Sequence, residues 1–223
     1  MSRTRARELA KTSLERCDAK GWFESLYAEA EGVAGRIPWA DLEPNPHLTS
    51  CLDENHAQGE GRRALVVGCG LGDDAELLVA RGFDVTAFDI SAAAIDWRQR
   101  RYPDSKVDYV AADLFEPPPE WRGAFRLVVE VNTLQVLPPE LRPAAISAMV
   151  NCVTPGGSLL VIARGREQDD DPGSMPWRLI KGDLEHFVQS GMKLISFEDF
   201  FDEEDPQVRR FRVQYRKPIE GKL

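Results

Sequence analysis

The first chemical signal is a run of closely spaced glycines. Val66-Val67 leads into Gly68-Cys69-Gly70-Leu71-Gly72. Glycines placed between a strand and a helix let the backbone turn tightly and let a ligand come close to the main chain. An acidic residue, Asp89, follows about 20 positions later, the distance at which a carboxylate ending the next strand accepts the hydrogen bonds of a ribose diol. A second, Asp113, stands in Ala111-Ala112-Asp113-Leu114-Phe115. The glycine spacing is G-x-G-x-G, and Asp73 and Asp74 come next. Two carboxylates in the first turn of a helix suit its dipole but repel a pyrophosphate. The pattern therefore predicts a nucleoside ligand without phosphates, cationic or zwitterionic at its other end.

These residues need elements to hold them. Ala64–Val67 reads as a buried strand, Asp73–Arg81 as a helix closed by Gly82, and Asp84–Phe88 as a second strand. Ser91 is placed to cap a helix over Ala92–Arg101, which stops before Pro103. Val107–Ala111, Phe125–Val131 and Gly157–Ala163 read as further strands, with a helix over Pro139–Cys152 and a Pro155-Gly156-Gly157 turn before the fifth strand. Continuous apolar strands alternating with helices predict a parallel sheet covered on both faces. Beyond a loop, Lys181–Ser190 reads as a helix. Leu194–Phe201 and Val208–Tyr215 are joined by the acidic turn Asp202–Pro206, too short a link for a parallel crossover, so they pair antiparallel. The loops after strands one to three open at one sheet edge, where such folds hold ligands.

Residues 1–60 form a lead-in, with helical patterning at Ala6–Cys17 and Trp22–Gly35 and a proline-broken stretch from Ile37 to Pro46; residues 61–223 form the binding domain. The 223 residues carry 28 Lys and Arg against 37 Asp and Glu, a net charge of −9. Such acidity disfavours a nucleic-acid partner. No apolar run approaches the roughly 18 residues of a membrane span, so no membrane partner is expected. Cys17, Cys51, Cys69 and Cys152 show no metal or disulfide spacing, which predicts a reducing, cytoplasmic compartment and no metal. The basic opening Ser2–Arg7 has the charge of a transit peptide, but Glu8 and Glu15 argue for a solvated helix.

Gly68–Ile90 resembles the cofactor motif of class I S-adenosylmethionine-dependent methyltransferases, and the resemblance extends over about residues 63–216. It implies S-adenosylmethionine as cofactor and a Rossmann-like, doubly wound α/β fold: a seven-stranded, mostly parallel sheet with a C-terminal antiparallel hairpin. It implies that Gly68, Cys69, Gly70 and Gly72 line the methionine and ribose portions, that Asp89 holds the ribose, and that Ile90, Asp113, Leu114 and Phe115 meet the adenine. Glu130, Val131 and Asn132 would lie beside the methionine moiety. Many members carry an acid two positions before the first motif glycine; Val66 stands there. A narrower similarity is to the thiopurine S-methyltransferase-like branch, through Pro38-Trp39, whose tryptophan would cover the cofactor, and through Gly173-Ser174-Met175-Pro176-Trp177, an imperfect match to that branch's substrate loop.

A small-molecule methyl acceptor is expected, with a thiol or other soft nucleophile preferred because an ionised thiol needs no strong protein base. Tyr27, Asp41, Asn132, Arg164 and Trp177 are the candidate acceptor-side residues; Arg164 and Arg166 are placed to receive an anion or simply to face solvent. An oxygen, nitrogen or carboxylate acceptor is the nearest alternative. A nicotinamide-dependent oxidoreductase or a non-catalytic nucleoside-binding module are the alternatives of other classes. His47, His56 and His186 and the acidic runs Asp169–Asp171 and Asp202–Asp205 read as packing and solvation. Cys69 reads as a small buried side chain, and Trp22, Trp97 and Trp121 as core.

Overall fold

The computed structural model describes residues 2–204 and 206–219; Asp205, in the expected acidic turn, lies outside them. The elements run α1 (Ser2–Glu15), α2 (Gly21–Ala30), α3 (Pro46–Glu54), β1 (Arg63–Val67), α4 (Asp73–Ala80), β2 (Asp84–Asp89), α5 (Ala92–Arg101), β3 (Asp108–Ala111), β4 (Phe125–Val131), α6 (Arg142–Cys152), β5 (Val153–Arg164), α7 (Lys181–Gln189), β6 (Lys193–Phe201) and β7 (Arg209–Arg216). Seven strands form one sheet in the order β3-β2-β1-β4-β5-β7-β6. β1, β4 and β5 pair parallel, as do β2 and β3, while β7 runs antiparallel between β5 and β6. This is the expected Rossmann-like α/β sheet with its closing hairpin.

The chain divides into two compact units, one of Met1–Gly61 with Gly68–Asp113, the other of Arg62–Val67 with Leu114–Leu223. In the first, local signals set the helices. The Ser91 hydroxyl accepts from Ala94 N at 3.1 Å and starts α5. The Asn45 side chain accepts from His47 N and Leu48 N, and Pro46 takes the first turn of α3. Sequence reading left α3 out, because three nearby prolines looked only like breakers. An Asn-Pro pair at a helix start is instead a cap followed by a residue with no amide hydrogen to satisfy. α2 is shorter than expected: Glu31 takes a left-handed conformation with φ 50°, and Gly32 and Gly35 favour no further helix.

In the second unit, β4, β5 and β7 make the core. Phe125, Val128, Val129, Leu159, Val161, Phe211 and Val213 are fully enclosed, and the Tyr215 hydroxyl donates to Leu184 O at 3.0 Å. The helix expected over 139–152 begins with a 3-10 turn at Pro139–Leu141 before α6. The expected Pro-Gly-Gly turn lies inside β5, which starts at Val153. Gly156 N donates to Lys217 O and Lys217 N to Gly157 O, each at 2.9 Å, so tertiary pairing carries the strand through residues that favour a turn.

Candidate active site

In the first unit, Gly68, Gly70 and Gly72 all hold positive φ, 61°, 51° and 92°. Three amides of this loop are used internally. Cys69 N donates to Phe88 O at 2.8 Å and Gly72 N to Cys69 O at 2.9 Å; Gly70 N donates to Asp89 Oδ2 at 3.0 Å. Three satisfied amides make a poor cradle for a pyrophosphate, which needs free N–H groups. The reason for a phosphate-free ligand therefore shifts. The charges of Asp73 and Asp74, on which the sequence argument leaned, are largely spoken for: Asp73 pairs with the Arg101 guanidinium at 2.8 and 2.9 Å. Asp74 accepts from Asn45 N at 2.7 Å, and burial pushes its pKa up to about 6.

The buried Asp89 carboxylate bridges the glycine loop to α5, because its other oxygen accepts from Ser91 N at 3.0 Å. Burial pushes its pKa up against the pull of these amides. Each carboxylate oxygen has two lone pairs, so acceptor capacity remains on both.

Tyr27 and Trp39 meet this loop. Trp39 Nε1 donates to Tyr27 Oη at 2.8 Å. A β-carbon on Gly70 would lie 3.0 Å from Tyr27 Oη and 4.0 Å from Trp39 Nε1. Trp22 packs edge-on against Trp39 at 6.0 Å and Trp97 against Tyr27 at 6.5 Å; both tryptophans are buried, as expected of core residues. Glu24 Oε2 accepts from Ser91 Oγ at 2.7 Å, and Lys20 Nζ donates to the Asp113 carboxylate. The Cys69 thiol is pushed well up by burial and by Asp89, which makes it a poor nucleophile. Ile90 is half-buried and Asp41 is exposed.

In the second unit, Glu130 stands next to the last residue of β4 with no exposed surface. Its Oε1 accepts from Thr133 N at 2.5 Å and Leu134 N at 3.0 Å, while Oε2 has no partner. Asn132 takes φ +63°, and its Oδ1 is likewise buried without a partner. Two buried acceptors without partners thus lie close together at the C-terminal end of β4. Leu114 is buried, and Phe115 and Val131 are half-buried. Trp177 is fixed through its backbone, its N donating to Gln135 O at 2.7 Å and its O accepting from Arg142 Nη2 at 2.7 Å. Arg164 N donates to Gln135 Oε1 at 2.8 Å. Arg166, read either as an anion receptor or as a solvent-facing side chain, donates through Nη1 to the carbonyls of Glu167, Gln168 and Asp170 at 2.9–3.0 Å, while its Nε is buried without a partner. Sequence reading missed Gln135 and Arg142. One signal for Arg142 was there: a cation opening a helix opposes the dipole.

The chain has counterparts among known proteins. A family described as "Methyltransferase domain" matches residues 64–157. Thiocyanate methyltransferase 1 of Arabidopsis thaliana is 30% identical over 199 residues, covering 86% of this chain and 82% of that protein. The chain belongs to the class I S-adenosylmethionine-dependent methyltransferases. Another relative of this methyltransferase, the ubiquinone biosynthesis O-methyltransferase of Aromatoleum aromaticum, is 33% identical over 120 residues, 52% of this chain and 50% of that protein. The solved N-methyltransferase NodS from Bradyrhizobium japonicum WM9, in complex with S-adenosyl-L-homocysteine, shares the fold with a TM-score of 0.68 at 19% identity, covering 87% of this chain and 99% of that one.

As a member of the family, this methyltransferase uses S-adenosylmethionine, and its residues fit that group. A phosphate-free nucleoside suits a glycine loop with three of its amides already occupied, and a buried carboxylate with spare lone pairs suits a diol. Among the described residues no helix is long and apolar enough to cross a membrane, and none form a metal-holding cluster.

Glu130 gives this methyltransferase a distinctive pH response. Burial raises its pKa from 4.5 to about 7. A carboxyl that binds its proton more tightly when folded stabilises fully below its unfolded pKa, and that stability is lost as pH rises through the folded one. The loss falls between about pH 4.5 and 7 and amounts to roughly 3 kcal/mol. Glu130→Gln keeps an oxygen for Thr133 N and Leu134 N but does not titrate, so its melting temperature is flatter than wild type across that window. Parallel melting curves for the two proteins would refute the shift.

Proposed function

We propose that this methyltransferase acts on a small thiol or another soft nucleophile. When bound, the cofactor supplies a methyl group on a sulfonium for in-line displacement. The chain's part is alignment, and orientation alone can supply roughly 7–11 kcal/mol of barrier lowering. The observation that carries the thiol reading is the 30% identity to a thiocyanate methyltransferase over most of both chains. The chemistry agrees with it, since a thiolate or pseudohalide needs no base to become nucleophilic.

In the first unit, the proposed roles are as follows. Gly68, Cys69, Gly70 and Gly72 face the methionine and ribose portions, and Asp89 holds the ribose diol. Ile90 and Asp113 meet the adenine. Residues 20–60 act as a lid, with Trp39 and Tyr27 closing over the loop; Tyr27 then belongs with the cofactor as much as with the acceptor. In the second unit, Leu114 and Phe115 are assigned to the adenine and Glu130 and Val131 to the methionine moiety. Asn132, Arg164 and Trp177 are assigned to the acceptor, and 168–180 is a second lid segment. Asp41 stays a weak candidate because of its exposure. Four unbonded cysteines support a reducing, cytoplasmic setting.

The test is incubation with S-adenosylmethionine and hydrosulfide, thiocyanate, 2-naphthalenethiol or 2-naphthol, followed by mass spectrometry of the methylated product. Methylated sulfur species are expected. Methylation of the naphthol alone would establish the second reading, an O-methyltransferase, which the ubiquinone-type relative favours. No product from any acceptor would sink both.

A further inference from the structure

Cations gather at the base of the second unit's sheet, where β1, β4, β5 and β6 begin and β7 ends: Arg63, Arg122, Arg126, Lys193 and Arg216. Arg126 is half-buried and the others are exposed. Arg63 and Arg126 each stand one residue before the paired Ala64 and Leu127. Arg216 lies between Ser158 of β5 and Lys193 of β6. Two guanidinium groups meet at Gly156. Arg216 Nη1 donates to Gly156 O at 3.1 Å, and a β-carbon on Gly156 would lie 3.1 Å from Arg126 Nη1. Among the described residues none of these cations forms an ion pair with a carboxylate; Glu116 and Glu120, in the loop before β4, do not pair with them. Further along the same hairpin the pattern is the opposite: Arg209, Arg210 and Arg212 are matched by Asp199, Asp202 and Glu198 at 2.6–2.7 Å.

Like charges directly opposite on paired strands destabilise a sheet, so Arg216 against Lys193 works against the fold, in a chain whose net charge is −9. An anionic partner would bring the charge that the chain does not supply there. A cavity of about 250 Å³ lies at the same end, lined by Pro117, Pro118, Pro119, Arg122, Asn151 and Cys152. That is below the roughly 300–1,000 Å³ of a small-molecule site and suits one or two side chains. Its prolines present an apolar wall without amide donors. Ile219, itself 57% exposed, adds apolar surface beside Gly156, where its Cγ1 would lie 3.2 Å from the added β-carbon. Cations flanking an apolar recess match acidic residues flanking an apolar one. A single-stranded nucleic acid fits less well, because Trp121 and Phe125, the aromatic residues at this end, are buried and offer no face for a base.

We propose that the base of this sheet docks an acidic peptide segment of a partner protein. Arg126 and Arg216 take its carboxylates, for which the guanidinium fork is shaped, and the proline-lined cavity takes one apolar side chain. None of these residues is assigned to the cofactor or the methyl acceptor, so the proposal holds whichever acceptor is methylated.

The probe is a fluorescein-labelled hexapeptide of sequence Asp-Glu-Leu-Asp-Glu-Asp, which spans about 20 Å when extended. Fluorescence anisotropy with the full chain at low salt is expected to show saturable binding with a Kd below about 100 μM, weakening by about tenfold or more at 0.5 M salt. Arg126→Glu and Arg216→Glu each weaken it by about tenfold or more, whereas Lys11→Glu, an equal change of net charge on exposed α1, stays within about twofold. Serine in place of the peptide's leucine costs about tenfold. S-adenosylhomocysteine affinity, measured by calorimetry, is unchanged in all three variants. Arg126→Gln and Arg216→Gln give smaller losses in the same direction and serve if a reversed charge disturbs folding. No saturation below about 1 mM, equal losses for Lys11→Glu and Arg216→Glu, or equal affinity for the serine peptide would overturn the proposal. Tighter binding of a short DNA duplex or of phosphatidylserine vesicles than of the peptide would also overturn it, and would give the surface to nucleic acid or to a membrane.

Discussion

Replacing Asp89 by alanine raises the dissociation constant for S-adenosylhomocysteine by about a hundredfold or more, read by calorimetry. The carboxylate accepts from Gly70 N and Ser91 N, one on each oxygen. Alanine leaves both amides without their partner in a buried setting, and each stranded donor costs about 1–3 kcal/mol. Part of that penalty appears as lower stability. The rest appears in binding, because the Gly70 amide helps to fix the loop and because, on the proposed role of Asp89, the ribose loses its acceptor. A hundredfold is about 2.7 kcal/mol, within reach of one charged hydrogen-bonding group. Asp89→Asn retains one acceptor oxygen and gives an intermediate loss. Binding of the alanine variant within threefold of wild type would mean that Asp89 does not hold the nucleoside.

Gly72→Val lowers stability by about 3 kcal/mol or more and takes cofactor binding with it. The residue has φ +92°, a conformation costing an L-residue about 1–2 kcal/mol and more if β-branched. A β-carbon there would lie 2.5 Å from Tyr109 Oη and 2.7 Å from Arg98 Cγ. Neither neighbour has easy room to retreat. The Arg98 guanidinium sits 3.2 Å from the centre of the Tyr109 ring, and the single Tyr109 hydroxyl proton is shared between Glu76 Oε1 at 3.0 Å and Gly72 O at 3.2 Å. Overpacking adds about 1–3 kcal/mol to the backbone strain. For a chain of this size the melting temperature falls by about 10 °C. Gly173→Ala is the control: its φ is +65° with no atom within 4 Å of the added carbon, so only backbone strain is felt. Equal melting temperatures for the two variants would show that the close contacts at Gly72 relax without cost.

What could be read from the sequence was what local rules control. Ala92–Arg101 and Phe125–Val131 fall where capping, proline and apolar runs put them. The glycine loop and Asp89 declared themselves through spacing. What escaped depends on partners distant in sequence. β5 runs through Pro155-Gly156-Gly157 because Lys217 pairs with it. Asp73 and Asp74 looked like bare charges until Arg101 and Asn45 came to them. Gln135 and Arg142 act by binding backbone atoms some 30–40 positions away, and a backbone carbonyl leaves no trace in a sequence. Arg166 was weighed as a ligand for the same reason: its three carbonyl partners were invisible.

The way the first sixty residues are fastened has a consequence for engineering. Glu24 reaches the hydroxyl and amide that begin α5, Asn45 reaches Asp74 in α4, and Gly59 and Gly61 donate to Arg81 O and Gly82 O at 2.7 and 2.8 Å. Each fastening has one half in the lead-in and the other in the nucleotide-fold segment. A foreign leader grafted from another family member would arrive without the matching halves, stranding a serine, a buried acid and a helix start. Chimeras joined near residue 61 are thus expected to succeed only when positions 74, 91 and 93 travel with the donor.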